Sequence, residues 1–293
     1  MPHLSRIALA GLLLSVMGLQ SQPASGQQDR KATKPLHILM CGHSFHWPIY
    51  EHLPEAAASG KHARPVMDQF NLGNSRTINI WEQPDEKNLA KKLLRTGDID
   101  VLTLSPHRKH PDPGIDLFVD LALQNNPNTR ITVQQSWLAF DNAQAQRPPT
   151  PNDWNAATGE SLLALHAPYF KEFEDQIDSV NRKLGKQAVF TVPVSRALIA
   201  LREKIRLGQA PGLSKQSDLF ADDWGHPQWP LVALSTYCHH AVIYRQDPRE
   251  LPPLPLIKQK AKARGEELDK LLKELAWDAV THHPQSRVRA PSK

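Results

Sequence analysis

Cysteine is scarce: the 293 residues hold two, Cys41 and Cys238, too few for a disulfide scaffold. Both stand in apolar surroundings, Cys41 closing the run Leu36-His37-Ile38-Leu39-Met40 and Cys238 inside Ala233 to Tyr244, which reads as burial as free thiols, with a single bridge between them as the alternative. No Gly-X-Y period links the 25 prolines, so collagen is excluded. No Walker loop, dinucleotide fingerprint or His-Glu-X-X-His pattern occurs. Past the N-terminus no apolar run approaches the ~20 residues of a membrane helix. Nor is charge strongly one-sided. The 35 Lys and Arg against 30 Asp and Glu give a net charge of +5, which first suggests nucleic acid or an anionic surface. Residues 257 to 293, however, hold nine Lys and Arg against five Asp and Glu. The rest is then nearly neutral and predicts no nucleic-acid partner. With 40% hydrophobic and 22% charged residues the chain can bury a core, and wholesale disorder is excluded.

Arg6 precedes the 13-residue apolar stretch Ile7 to Leu19, and small residues follow at Ala24-Ser25-Gly26. This is the pattern of a cleaved signal peptide over residues 1 to 26, with 27 to 35 as a linker. The expectation is an exported protein, periplasmic or secreted, with no integral membrane span once the signal is removed.

Short apolar, β-branched runs predict buried strands at Leu36 to Cys41, Val66 to Leu72, Ile99 to Leu104, Arg130 to Gln135 and Ala188 to Val192. Helical periodicity falls between and after them, at Ile49 to Ala58, Glu86 to Leu94, Ser161 to Leu184, Ser195 to Leu207 and Pro230 to Tyr244. Alternation of this kind predicts an α/β fold, a three-layer α/β/α sandwich with a mostly parallel sheet, over residues 36 to 250. Asp141 to Gly159, with Arg147-Pro148-Pro149-Thr150-Pro151, reads as a long polar loop of the kind that borders binding sites. Residues 251 to 293 read as an extension: a Pro-rich connector, a basic stretch from Lys258 to Arg264, and an amphipathic helix whose stripe of Leu268, Leu271, Leu272, Leu275, Ala276 and Ala279 docks on the body.

Sheets of this type bind ligands beyond the carboxyl ends of their strands. Directly after the first strand comes Gly42-His43-Ser44-Phe45. The glycine permits a sharp turn, and the serine is exposed there as a nucleophile if a histidine takes its proton. Near the other end, Asp222-Asp223-Trp224-Gly225-His226-Pro227 precedes the long apolar helix. Asp223 and His226, three apart, can set a carboxylate against one imidazole nitrogen while the other faces outward. The bland alternative is a helix-capping serine and a surface histidine.

Together these blocks resemble the SGNH, or GDSL, hydrolase superfamily, with the flavodoxin-like fold reached above. The resemblance covers roughly residues 35 to 247. It implies Ser44 as nucleophile, His226 as general base and then acid, and Asp223 as the orienting carboxylate, Asp222 missing the family spacing. The family's oxyanion hole combines the nucleophile's amide, a glycine after the second strand and an asparagine after the third. By that resemblance the Ser44 amide and Gly73, in Asn71-Leu72-Gly73-Asn74, would serve. The asparagine is missing: Leu104-Ser105-Pro106-His107 stands in its place, leaving His107 or Asn74 as substitute donors. His43 replaces the family's aspartate.

Trp47, Trp224 and Trp229 flank these blocks; they read either as core residues or, where exposed, as the lining of a substrate site, stacking platforms for a sugar or a wall for an acyl group. The expected activity is a serine esterase acting on a small-molecule or carbohydrate ester, such as an acetylated sugar, with no cofactor. Two alternatives stand beside it: a non-catalytic binding module on the same scaffold, and a metal-dependent hydrolase. For the latter the histidine pairs 107/110, 239/240 and 282/283 lack the companions of a metal motif, so no metal site is expected.

Overall fold

The computed structural model describes residues 34 to 144, 153 to 261 and 263 to 290. The signal-peptide segment, most of the linker, the Pro-rich part of the 141 to 159 loop and residues 291 to 293 lie outside the described residues. Five strands, β1 (His37–Cys41), β2 (Val66–Gln69), β3 (Val101–Leu104), β4 (Arg130–Gln134) and β5 (Val189–Val192), form one sheet in the order β2-β1-β3-β4-β5. All four pairings are parallel. Each strand is a residue or more shorter than its apolar run.

The helices are α1 (Ile49–Ser59), α2 (Thr77–Trp81), α3 (Leu89–Thr96), α4 (Pro113–Asn125), α5 (Gly159–Leu184), α6 (Val194–Arg206), α7 (Trp229–Tyr244), α8 (Pro255–Lys260) and α9 (Gly265–His282). Alternation along β1 sets the layers. Leu39 and Cys41 pack with residues of α3, α4 and α5, whereas Ile38 and Met40 face Ile49 and Leu53 of α1 and Ile243 of α7. The fold is thus a three-layer α/β/α sandwich. Helices α2 and α4 are among those that form outside the predicted helical stretches. Asp112, fully buried, starts both: its carboxylate accepts the amides of Thr77 (2.7 Å), Ile78 (3.0 Å) and Gly114 (3.0 Å).

Helix α7 is apolar on every side because it is covered on every side. One face meets the sheet layer, and along another lies α9, whose Leu268, Leu272, Ala276, Trp277 and Val280 join the main core with Leu231, Leu234 and Tyr237. The Tyr237 hydroxyl donates to Asp269 (2.5 Å), which is also paired with buried Lys273. The C-terminal segment is therefore part of the body's core rather than an appendage to it. Among the described residues no helix is long and apolar enough to cross a membrane. Both cysteines are free and buried, Cys41 in the cluster on one side of the sheet and Cys238 in the cluster on the other. Burial pushes both thiols up, away from reactivity.

Candidate active site

The chain passes from β1 out to the edge strand β2 and returns to β3 on the other side of β1. The loops after β1 and β3 diverge there, at the sheet's switch point, and leave a crevice. Ser44 stands on the first loop and His107 on the second. Gly42 makes the approach possible: a Cβ at this position would lie 2.8 Å from both the Ser105 Cβ and His46 Nδ1, too close for any side chain. The Gly42 amide donates to Asn71 Oδ1 (3.0 Å), tying the Ser44 loop to the one after β2. From beneath, Gln134 of β4 donates to the Phe45 carbonyl (3.3 Å) and to Ser136 Oγ (2.7 Å), and its carbonyl oxygen is 2.9 Å from His239 Nε2 on α7. The serine loop is held from three elements before it reaches α1.

Ser44 Oγ lies 2.8 Å from His226 Nε2. On the other side of the ring, His226 Nδ1 meets a carboxylate at 2.6 Å, and that carboxylate is Asp222, not Asp223. A carboxylate only accepts, so Nδ1 carries the proton and Nε2 presents a lone pair to the Ser44 hydroxyl. The spacing from acid to base is four residues instead of three, and the loop shows why. Asp222 Oδ1 accepts the amides of Trp224 (3.0 Å), Gly225 (3.2 Å) and His226 (3.2 Å), so the backbone curls around this side chain. Gly225 sits at φ +93, and a Cβ there would meet Trp137 Nε1 at 3.2 Å and the Trp154 ring at 3.4 Å. The Gly225 carbonyl accepts the Trp137 indole N–H (2.9 Å). The loop closes on itself through the Ala221 amide and the His226 carbonyl (2.8 Å). Partial burial raises the Asp222 carboxyl, but the His226 ring and the loop amides outweigh it and hold the group below its ordinary range.

A cleft of about 350 Å³ opens over Ser44 and His226. Gly73, Asn74 and His107 all line it, as do Trp47 and Trp224. Gly73 has ordinary space around a notional Cβ, the nearest atom being Trp47 Cη2 at 3.8 Å, so its neighbourhood does not demand a glycine. Asn74 follows at φ 49, in the left-handed region that asparagine tolerates. His107 is pushed down to about 4, first by burial and then by the charges of Arg108, Lys109 and Arg76, so at pH 7 its ring is neutral and carries one N–H. Trp229 does not line the cleft; it packs at the start of α7 against the core. The expectation of three lining tryptophans is corrected to two.

Several cleft residues were not anticipated. Phe45 stacks on Trp137 with ring centroids 4.7 Å apart and meets the His226 ring edge-on at 5.5 Å, which fixes the imidazole plane. Trp137, Leu138 and Ala139 follow β4, and their place at a strand's carboxyl end was the available signal. Tyr169 enters from α5, for which the sequence carried no signal. His43 has a structural place in the site: its Nδ1 accepts the Phe45 amide (3.4 Å), so Nε2 bears the proton and faces the Pro106 carbonyl (3.3 Å). Burial above all, with His107 nearby, pushes it down to about 3. His43 is thus a neutral strut between the Ser44 loop and the His107 loop. Of the other histidines, His239 serves Gln134 and His240 serves Gln246, so neighbours in sequence point to separate partners.

No protein-family model matches the chain, and no curated protein matches it. Similarity to solved structures is clear in shape. A DUF4886 family protein from Bacteroides uniformis superposes with a TM-score of 0.57 at 12% identity, over 85% of this chain and 96% of that one. The periplasmic domain of a lipopolysaccharide acetyltransferase from Salmonella ser. Paratyphi A aligns over 73% of this chain and 85% of its own, at 12% identity and a TM-score of 0.44. Likeness at such identity speaks to fold alone.

Proposed function

We propose that this protein is an exported serine esterase whose working groups are Ser44, His226 and Asp222. One observation carries the reading: Ser44 Oγ, the His226 ring and the Asp222 carboxylate form a continuous hydrogen-bonded chain, 2.8 Å and 2.6 Å long at its two links, opening into a mainly apolar cleft. That is the geometry of an activated nucleophile with an oriented base. Export rests on the N-terminal apolar segment of the sequence.

Ser44 Oγ attacks the ester carbonyl as its proton passes to His226 Nε2. The imidazolium that forms is stabilised by Asp222 on Nδ1. Negative charge developing on the carbonyl oxygen is met by the amides of Ser44 and Gly73, and the ring N–H of neutral His107 or the Asn74 side chain supplies the donor that the SGNH pattern draws from asparagine. His226 returns the proton to the departing alkoxide, leaving an acyl-serine. Water, deprotonated by the same nitrogen, attacks the acyl carbonyl and frees Ser44. Trp47 and Trp224, 38% and 40% exposed at the cleft, suit the flat faces of a sugar, and an acetylated carbohydrate is the natural ester class on this reading.

The test is labelling of the purified protein by a fluorophosphonate, together with hydrolysis of 4-nitrophenyl acetate. Wild type should label and turn over, whereas Ser44→Ala and His226→Ala should do neither. Labelling that is indifferent to Ser44 would overturn the proposal.

A further inference from the structure

Among the described residues lining the cleft, Arg108 is the one side chain with a fixed charge, and none is an aspartate or glutamate. Asp222 lies behind the ring of His226, its carboxylate engaged by Nδ1 and by the loop amides. Arg108 has no carboxylate partner among the described residues. One nitrogen, Nη2, donates to the Gln144 carbonyl, while Nε is buried without any hydrogen bond. Burial pulls the guanidinium down from its usual range. The Nε that has lost water and gained no partner would be satisfied by an anion that reaches it. Lys109 and Arg76 stand near enough to act on His107 with the same sign, so the wall after β3 is positive and the wall opposite is aromatic.

We infer that the cleft selects esters bearing an anionic group, such as a carboxylate, a few bonds from the scissile carbonyl, and that Arg108 is the residue that selects them. The inference rests on the esterase reading for its reaction but not for its binding. A planar guanidinium with unused donors suits a carboxylate or phosphate, and Arg108 is next in sequence to His107 in the same cleft as Ser44. The anion can sit on either side of the ester bond, and the substrates below separate the two.

The experiment compares kcat/KM within two matched pairs: 4-nitrophenyl hemisuccinate against 4-nitrophenyl butyrate, with the charge on the acyl side, and 4-acetoxybenzoate against its methyl ester, with the charge on the alcohol side. Wild type should favour the anion in at least one pair by roughly 10-fold or more, the scale of one charged hydrogen bond, and added salt should shrink the preference. Arg108→Gln should abolish it, and Arg108→Lys should keep part of it. Equal loss on charged and neutral members in Arg108→Gln would mean that Arg108 serves the transition state of any ester, and it would overturn the inference. So would a wild-type enzyme with no preference in either pair. Calorimetric titration of Ser44→Ala with succinamate against butyramide, and with 4-hydroxybenzoate against its methyl ester, reads the same selectivity without turnover. Arg108-dependent binding of an anion by a protein that fails fluorophosphonate labelling would sink the esterase reading and leave this one standing.

Discussion

Asp222→Asn removes the negative charge beside His226 while leaving the loop intact, and this makes it the sharpest probe of the site. In wild type, Asp222 Oδ1 holds three amides and Oδ2 holds His226 Nδ1. An asparagine can keep its oxygen on the amides, which can only donate, and so turns its NH₂ toward Nδ1. That nitrogen must then accept, the ring proton moves to Nε2, and the lone pair that takes the Ser44 proton is gone. The serine and the cleft stay in place, but the base is in the wrong tautomer. In the equivalent change of a Ser-His-Asp triad the loss is ~10⁴ in kcat, about 5 kcal/mol of transition-state stabilisation.

Asp222→Asn should therefore lower kcat for 4-nitrophenyl acetate by about 10³- to 10⁴-fold with KM within a few-fold, since no substrate contact changes. Fluorophosphonate labelling should slow in parallel. Asp223→Asn, one residue away, should keep kcat within about 3-fold. Asp222→Ala is the less clean variant, because it also strands three loop amides and costs stability of about 1 to 3 kcal/mol, visible as a lower Tm. If Asp222→Asn retains more than a tenth of wild-type kcat, or Asp223→Asn falls as far, the assignment of the carboxylate is wrong.

Acid should unfold the protein early, because buried His43 and His239 are both pushed down to about 3. The unfolded chain takes up these protons below about pH 6.5 and the folded chain does not, so stability is complete above that value and declines as pH falls toward 3. At pH 5 the loss is about 2 kcal/mol for each histidine at 1.36 kcal/mol per unit, and a urea midpoint unchanged between pH 7.5 and 5 would contradict it. Arg202, buried and bidentate to Asp141 at 2.8 and 2.7 Å, holds a turn in which Phe140 and Asp141 sit at φ 58 and 46. Arg202→Met should cost about 3 to 5 kcal/mol by leaving the acid unpaired, read as a fall in urea midpoint, and a shift within error would show that the turn holds itself. Deleting residues 265 to 293 uncovers the outer face of α7 and should abolish the cooperative thermal transition; a truncated chain that melts like the parent would place α9 outside the core.

The sheet was legible because its central strands are buried and appear as short apolar, β-branched runs, edge strand β2 being the exposed exception, and parallel order follows from the helices between them. Helix α4 was signalled as well, by Asp112-Pro113 ahead of Ile115, Phe118, Val119 and Ala122, all buried. Its signal is masked by a proline-rich approach that resembles a loop. The C-terminal helix showed its apolar stripe and that the stripe docks on the body, but not which element it covers. Only the all-round apolarity of α7, which the sheet alone cannot cover, indicates that a second layer must lie outside it.

The site was legible to the same depth and then stopped for a different reason. Ser44 and His226 sit at positions that the topology fixes, one after β1 and one before α7, and the switch point brings these together whatever the loops contain. The choice between Asp222 and Asp223 depends instead on one loop's curvature. That curvature is set by Gly225, by the wedge of Trp137 and Trp154 against it, and by Phe45 stacked on Trp137. These contacts come from β1, β4 and the segment before α5, so no reading of residues 222 to 227 alone contains them. Spacing in a motif stands for a turn geometry, and where distant aromatic rings reshape the turn the same chemistry moves by one residue. Arg108 was equally invisible: a lone arginine in a loop gains meaning only when the described residues of the cleft it lines hold no other fixed charge.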